Sequence, residues 1–310
     1  MIKINVTEEI VDDFYDSIKK LFNKKLEKKE NKKLLWSISI EYIDKLLNTK
    51  LKDFDEKITF EKLIKANFQY MKELVSFIKK NPKRYSLSKK EKDYFLTMYQ
   101  RLKKADFVKR INIKVCSYCN RNYIFNFIKN NKQEATAQLD HFFDKKKYPY
   151  LSVSLFNLVP SCSTCNQRKS SKEENIFYPY LESFNDCAKF KYGGIKTDEE
   201  NKLDFFDSKR LSLKIEATKN NNKVDKHIEV FNLKKLYNEH TDIVSELILK
   251  RQIYSDSYID ELFQLYEGTL FKNREDLLRL ITCGYMSDED IDKRPLSKLI
   301  KDISEDLELF

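Results

Sequence analysis

Cys116-Ser-Tyr-Cys119 and Cys162-Ser-Thr-Cys165 are two CxxC pairs separated by 42 residues. Between them stands Leu139-Asp140-His141-Phe142. Asn157-Leu-Val-Pro160 precedes the second pair, and Asn166 follows it. Each CxxC delivers two thiolates from a single turn, so the four sulfurs can close a tetrahedral zinc site. A site of four thiolates leaves no position for water. The expected ion is therefore structural Zn²⁺, pinning both ends of the segment it encloses.

The residues inside that frame suit a different metal. Asp140 offers a carboxylate and Asn166 an amide oxygen, hard donors that fit Mg²⁺ or Mn²⁺ rather than zinc. His141 titrates near neutrality and suits a general base taking a proton from water. Asp140 and His141 are adjacent, so on a strand they point to opposite faces, and a bend or bulge is needed to aim both at one phosphate. The Asn157 amide can bond backbone and hold His141 in place. Each residue alone has a plainer reading: a packed His, a loop-capping Asp, a helix-capping Asn. Their combination inside a paired-CxxC frame favours a metal-dependent phosphodiesterase.

Asp140-His141, Asn157 and Asn166 resemble the HNH (ββα-metal) nucleases, in the branch that carries a four-cysteine zinc site. The nine-residue step from Asn157 to Asn166 fits that pattern, as does Asn-Leu-x-Pro before the second CxxC. The last letter of the motif is Asn rather than His, a variant the family accepts. The resemblance implies that Asp140 and Asn166 are metal ligands, His141 the general base and Asn157 a positioning residue. It further implies phosphodiester cleavage, usually of DNA. It covers roughly residues 111–172. A looser likeness in Val224–His240 points to HNH proteins of bacterial anti-phage modules of the Septu-like kind, where the nuclease is paired with an ATPase.

Lys145, Lys146, Lys147, Arg168, Lys169 and Lys172 flank the motif and are the expected phosphate contacts, which position the backbone without reading sequence. Tyr148 and Tyr150 are expected in the core rather than on a base. His227 and His240 receive no catalytic role. Cys187 and Cys283 lack a CxxC partner and read as ordinary small apolar residues.

The elements that must position this motif follow from the rest of the chain. It has 310 residues, 41% hydrophobic, with 22 Phe and 18 Tyr but only 4 Gly and 5 Pro. A sizeable core and long helices follow, rather than a sandwich of tight turns. The expected fold is α+β, mostly α, with a small zinc-stapled ββα domain between helical N- and C-terminal regions. The segments are 1–110, basic and helical; 111–172, the motif core; and 173–310, a β-hairpin plus acidic helices. Helices are predicted at 7–29 with Thr7 as N-cap, at 34–48, at 60–80 and at about 88–104, the last opening on the capping-box spacing Ser88-Lys-Lys-Glu91. Tyr123–Ile128 suggests a hairpin strand turning at Asn130-Asn131-Lys132. Ala137–Phe142 reads as a strand, 143–160 as a loop, and a helix starts near Ser163 or Thr164. Leu203–Phe206 and Leu211–Ala217 alternate like a second hairpin, and helices resume from Lys226.

Charge is segregated. Residues 1–113 carry net +11, residues 114–172 net +7, and residues 173–310 net −8. The chain up to 172 could face a polyanion, and the acidic remainder could dock another protein or a second copy. No apolar run reaches a membrane span, so the expected location is cytoplasmic and reducing, without membrane contact. DNA is the expected substrate. Two alternatives stay open: RNA, such as tRNA, cut by the same chemistry, and a zinc-ribbon module that binds nucleic acid or protein without catalysis.

Overall fold

The structure is a computed structural model and describes residues 1–23, 39–171, 175–185, 187–193, 211–218 and 222–309. Helices dominate, joined by three two-stranded antiparallel sheets among the described residues.

Among the described residues, six helices open the chain: α1 Glu8–Asn23, α2 Ile40–Leu51, α3 Phe60–Ile64, α4 Phe68–Lys80, α5 Lys89–Arg101 and α6 Lys104–Ile111. Their starts are dictated locally. Ser88 Oγ accepts from Glu91 N while the Glu91 carboxylate accepts from Ser88 N, so both arms of the capping box form at α5. Such a cap contributes about 1 kcal/mol. Two breaks depart from the sequence expectation. The stripe predicted as one helix over 60–80 divides into α3 and α4 because the Asn67 side chain caps a new start by accepting from Tyr70 N. The helix predicted to about 104 ends at Arg101, where Leu102 leaves helical space, and α6 begins afresh. Residues 24–29 and 34–38 of the first two predicted helices lie outside the described residues.

β1 (Asn126–Lys129) and β2 (Lys132–Ala135) form the expected hairpin. Its turn is Asn130-Asn131, with φ of +49° and +59°. Asn tolerates this left-handed backbone better than most residues, and the mirror-image turn matches the twist of the flanking strands. β3 (Gln138–His141) pairs antiparallel with β4 (Leu158–Ser161), placing Asp140 opposite Val159 and His141 opposite Leu158. β4 falls within what the sequence suggested was loop. Pro160 argues against a strand, but a proline in a two-stranded ribbon costs no ladder bond on its open side. α7 (Ser163–Lys169) follows directly, with Cys162 at its N-cap position.

β5 (Ala188–Gly193) pairs with β6 (Ser212–Ala217). The strand expected at 211–217 is therefore present, with a partner the sequence did not single out, while Leu203–Phe206 lies outside the described residues. The chain ends in α8 Asn222–Phe231, α9 Leu233–Asn238, α10 Thr241–Ile253, α11 Asp256–Tyr266, α12 Arg274–Thr282 and α13 Ser297–Asp306. One continuous hydrophobic cluster runs from Met1 to Leu309 through all of these regions. Among the described residues no helix is long and apolar enough to cross a membrane.

Candidate functional site

The four cysteines come together. Cys116 and Cys119 lie on a knuckle before the first hairpin, and Cys162 and Cys165 lie on the first turn of α7. All four are buried, and their sulfurs lie within 4.8 Å of one another. Sγ of Cys119 and Sγ of Cys162 are 4.0 Å apart. A tetrahedral ion with bonds of about 2.3 Å sets sulfur–sulfur edges near ~3.8 Å, so zinc fits this donor set with little adjustment. Thiolate acceptors are also provided for: Arg121 N donates to Cys119 Sγ at 3.4 Å and Asn122 Nδ2 to Cys162 Sγ at 3.3 Å. Bonds of this kind orient metal-bound sulfur and offset its charge. Among the described residues this is the one group of three or more His, Cys, Asp or Glu side chains close enough to share an ion.

The knuckle is also where distant parts of the chain converge. Its carbonyls at Ser117, Tyr118 and Cys119 accept from Ile2 N at 3.1 Å, His227 Nε2 at 2.8 Å and Tyr237 Oη at 2.6 Å. Asn120, at φ +51°, accepts Lys298 N on its Oδ1 and donates its Nδ2 to Ile291 O. Ser117 Oγ donates to Pro160 O at 2.8 Å and so ties the knuckle to β4. His227 is fully buried among Tyr118, Phe177, Phe184 and Phe231, and burial holds its pKa well below the ordinary value. His240 accepts from Arg121 Nε at 3.1 Å. Neither lines the cleft that holds His141. Cys187 is buried, whereas Cys283 is exposed at the end of α12.

β3 and α7 form one wall of a cleft of about 870 Å³, lined by Gln138, Asp140, His141 and Asn166, with Lys104, Asp144, Lys145, Lys146 and Lys147 among its other residues. His141 is 7% exposed. Its Nε2 lies 2.9 Å from Ser152 O, and Tyr99 packs edge-on against the ring at 4.4 Å. A carbonyl only accepts, so Nε2 carries the proton and the neutral ring keeps its lone pair on Nδ1. Burial, and then the charge of Lys145, push the pKa down to about 3, away from the near-neutral titration expected of a general base, because the ring is enclosed rather than solvated.

Asp140 is 3% exposed. Tyr118 Oη donates to its Oδ2 at 2.7 Å, and Lys169 Nζ lies 3.0 Å from the same oxygen. Burial raises the Asp140 pKa, while Lys169 and Tyr118 pull it back. Asn166 donates Nδ2 to Gln138 Oε1 at 2.6 Å, so its amide oxygen is not used in that bond. Asn157 is fully buried. Its Oδ1 accepts Phe143 N at 2.7 Å, and its Nδ2 donates to Leu151 O and Phe143 O, fastening the two ends of the loop that follows His141.

The expected phosphate contacts divide. Lys145, Lys146 and Lys147 line the cleft. Lys169 departs from its expected surface role: it is 2% exposed and binds Asp140 together with the carbonyls of His141 and Phe142, because the turn of α7 that carries it faces β3 rather than solvent. Arg168 is not among the cleft's lining residues, and Lys172 lies outside the described residues. Tyr148 and Tyr150 are buried, as expected. Lys104 on α6 and Tyr118 in the knuckle belong to the site but were not singled out. No local pattern marks either, since only the packing of the chain brings them to β3.

No family model and no solved structure matches the chain. One curated relative is Septu protein PtuB of Bacillus thuringiensis, 30% identical over 91 residues, covering 26% of this chain and 35% of the relative. The chain therefore spans about a third of that protein's length.

Proposed function

We propose that the chain is a metal-dependent endonuclease of the HNH type, cutting DNA as an effector of anti-phage defence. The similarity to a Septu protein supports the defence role. The observation that carries the chemistry is that one cleft is lined by Asp140, His141 and Asn166 together. The imidazole is held by Ser152 O and packed against Tyr99, which fixes its position there. The succession of β3, β4 and α7, stapled at both ends by the four-cysteine cluster, supports the same reading.

Asp140 and Asn166 would hold Mg²⁺ or Mn²⁺, as a carboxylate and an amide oxygen suit a hard cation that keeps most of its waters. When bound, that ion supplies charge stabilisation at a phosphate oxygen and at the leaving 3′ oxygen. His141 takes the proton of the attacking water on Nδ1. Asn157 holds the loop that fixes the His141 backbone. Lys104, Lys145, Lys146 and Lys147 bind flanking phosphates and raise the local concentration of polyanion. An ATPase partner or a second copy completes the module by the resemblance to Septu-like systems.

The pairing of Asp140 with Lys169 favours a second reading, a zinc module that binds nucleic acid or protein and does no chemistry, because the carboxylate is already satisfied internally. Incubation with plasmid DNA and with tRNA, in Mg²⁺ or Mn²⁺ and with or without an ATPase partner, separates the readings. The expected result is cleavage by the wild type, and none by His141→Ala with its zinc content and melting temperature retained. Equal cleavage by the variant would remove the assigned base. Inactivity of both under every condition would favour the binding module, and cleavage confined to tRNA would move the substrate to RNA.

A further inference from the structure

The segment leading into the first hairpin carries an aromatic row that the core does not bury. Tyr123, Phe125 and Phe127 alternate at a period of two, so they share one face. They are 43%, 44% and 41% exposed. The Tyr123 and Phe125 rings already lie stacked, with centroids 4.4 Å apart and planes 24° apart. The residues between them face the protein: Ile124 is 1% exposed and Asn126 is half-buried. Single exposed aromatics are common, but three on one face of a ribbon form an apolar strip, with the outer faces of the stacked pair open to a further ring.

The surroundings of the strip select its occupant. Lys129 and Lys132 face each other at the hairpin tip, and Lys114 lies exposed on the segment bridged to Tyr123. Glu134, opposite Phe127, is the one acid on the ribbon. The strip is tied to a strand that lines the cleft. Phe125 N donates to Thr136 Oγ1, Thr136 N donates to Phe125 O, and the next two residues, Ala137 and Gln138, line the cleft. At about 3.3 Å per residue, Phe125 is joined to the start of β3 by ~7 Å of chain.

We propose that Tyr123, Phe125 and Phe127 form a stacking platform for the unpaired bases of a nucleic-acid strand whose backbone runs into the His141 cleft. Bases within a duplex bury their faces against one another, whereas an unpaired strand offers each base to an aromatic ring. Lysines beside the rings follow the phosphates. The inference rests on the cleft being a phosphodiester site and names its substrate class, single-stranded nucleic acid or a single-stranded stretch next to a duplex.

The test is binding without turnover. Zinc-loaded protein, in buffer without Mg²⁺ or Mn²⁺, is titrated against a fluorescein-labelled oligo(dT) strand, an oligo(A) RNA strand and a DNA duplex, read by anisotropy over a salt series. Wild type is compared with the triple variant Tyr123→Leu/Phe125→Leu/Phe127→Leu, which keeps apolar bulk on the ribbon and removes the rings, and with the triple alanine variant. The melting temperature of each is recorded. The expected result is at least a tenfold loss of single-strand affinity in the leucine variant, an unchanged salt slope, and little change on duplex. Equal single-strand affinity of wild type and leucine variant overturns the platform, as does failure of wild type to bind either strand. A variant that keeps its strand affinity but changes its state of association in light scattering also overturns it, and assigns the strip to protein contact. Cleavage by wild type and His141→Ala is scored separately, so loss of the platform and loss of the nuclease reading give different results.

Discussion

The Lys169 ammonium sits where a cation is wanted, in contact with Asp140 Oδ2 and the carbonyls of His141 and Phe142. Taking Asp140 and Lys169 out of water together is tolerable, but leaving either alone is not. Removing one partner of a buried pair costs roughly 3–5 kcal/mol. Lys169→Met should therefore lower the unfolding free energy by about 3 kcal/mol in urea denaturation. If Asp140 is a cation ligand, Mn²⁺ should recover more of that loss in the variant than it adds to the wild type, since the missing monovalent charge no longer competes. A variant destabilised to the same extent with and without Mn²⁺ would argue that Asp140 is only a structural carboxylate. The linear motif showed Asp140, His141, Asn157 and Asn166, because their types and spacing are local facts. It could not show that Lys169 turns inward. A charged residue late in a short helix reads as solvated until the strand beside it is known.

At the scale of elements, caps and turns decided what was legible. Ser88 with Glu91, and Asn130 with Asn131, carry their instructions in side chains that bond the adjacent backbone, and α5 and the β1–β2 turn begin where those residues stand. The break between α3 and α4 was hidden because the apolar stripe runs through it unbroken while Asn67 restarts the helix. β4 was hidden because four residues ending near a proline carry no period, and its partner strand alone defines it. The knuckle after Cys119 depends on one residue in the same way. Asn120→Ala removes two buried side-chain bonds, to Ile291 O and from Lys298 N, and leaves both backbone groups unpaired. The expected cost is about 2–4 kcal/mol, with zinc content unchanged. A loss below about 0.5 kcal/mol in chemical denaturation would show that α13 does not rely on this clasp.

Across the whole molecule, the hydrophobic cluster is continuous from Met1 to Leu309, and the four clustered cysteines belong to it. Metal binding should then be inseparable from folding. Stripping zinc with a strong chelator is expected to unfold the protein in one transition, seen together by far-ultraviolet circular dichroism and aromatic fluorescence. Cys162→Ser should give insoluble or markedly less stable protein. Retention of helical signal after metal loss, with only the middle of the chain opening to proteolysis, would mean that the helical regions stand alone. Charge is divided along the chain: residues up to 172 are net basic and the remainder net acidic. At the cleft itself Lys104, Lys145, Lys146 and Lys147 would attract a polyanion before contact forms.

Three successive peptide oxygens of a single sulfur-bearing loop hold residues from the start of the chain and from two helices of its later part. Such an arrangement makes the thiol cluster a fuse. An oxidant that pairs those sulfurs would not blunt one edge of the tool but would release everything fastened to it, and repair would require reductant and metal together.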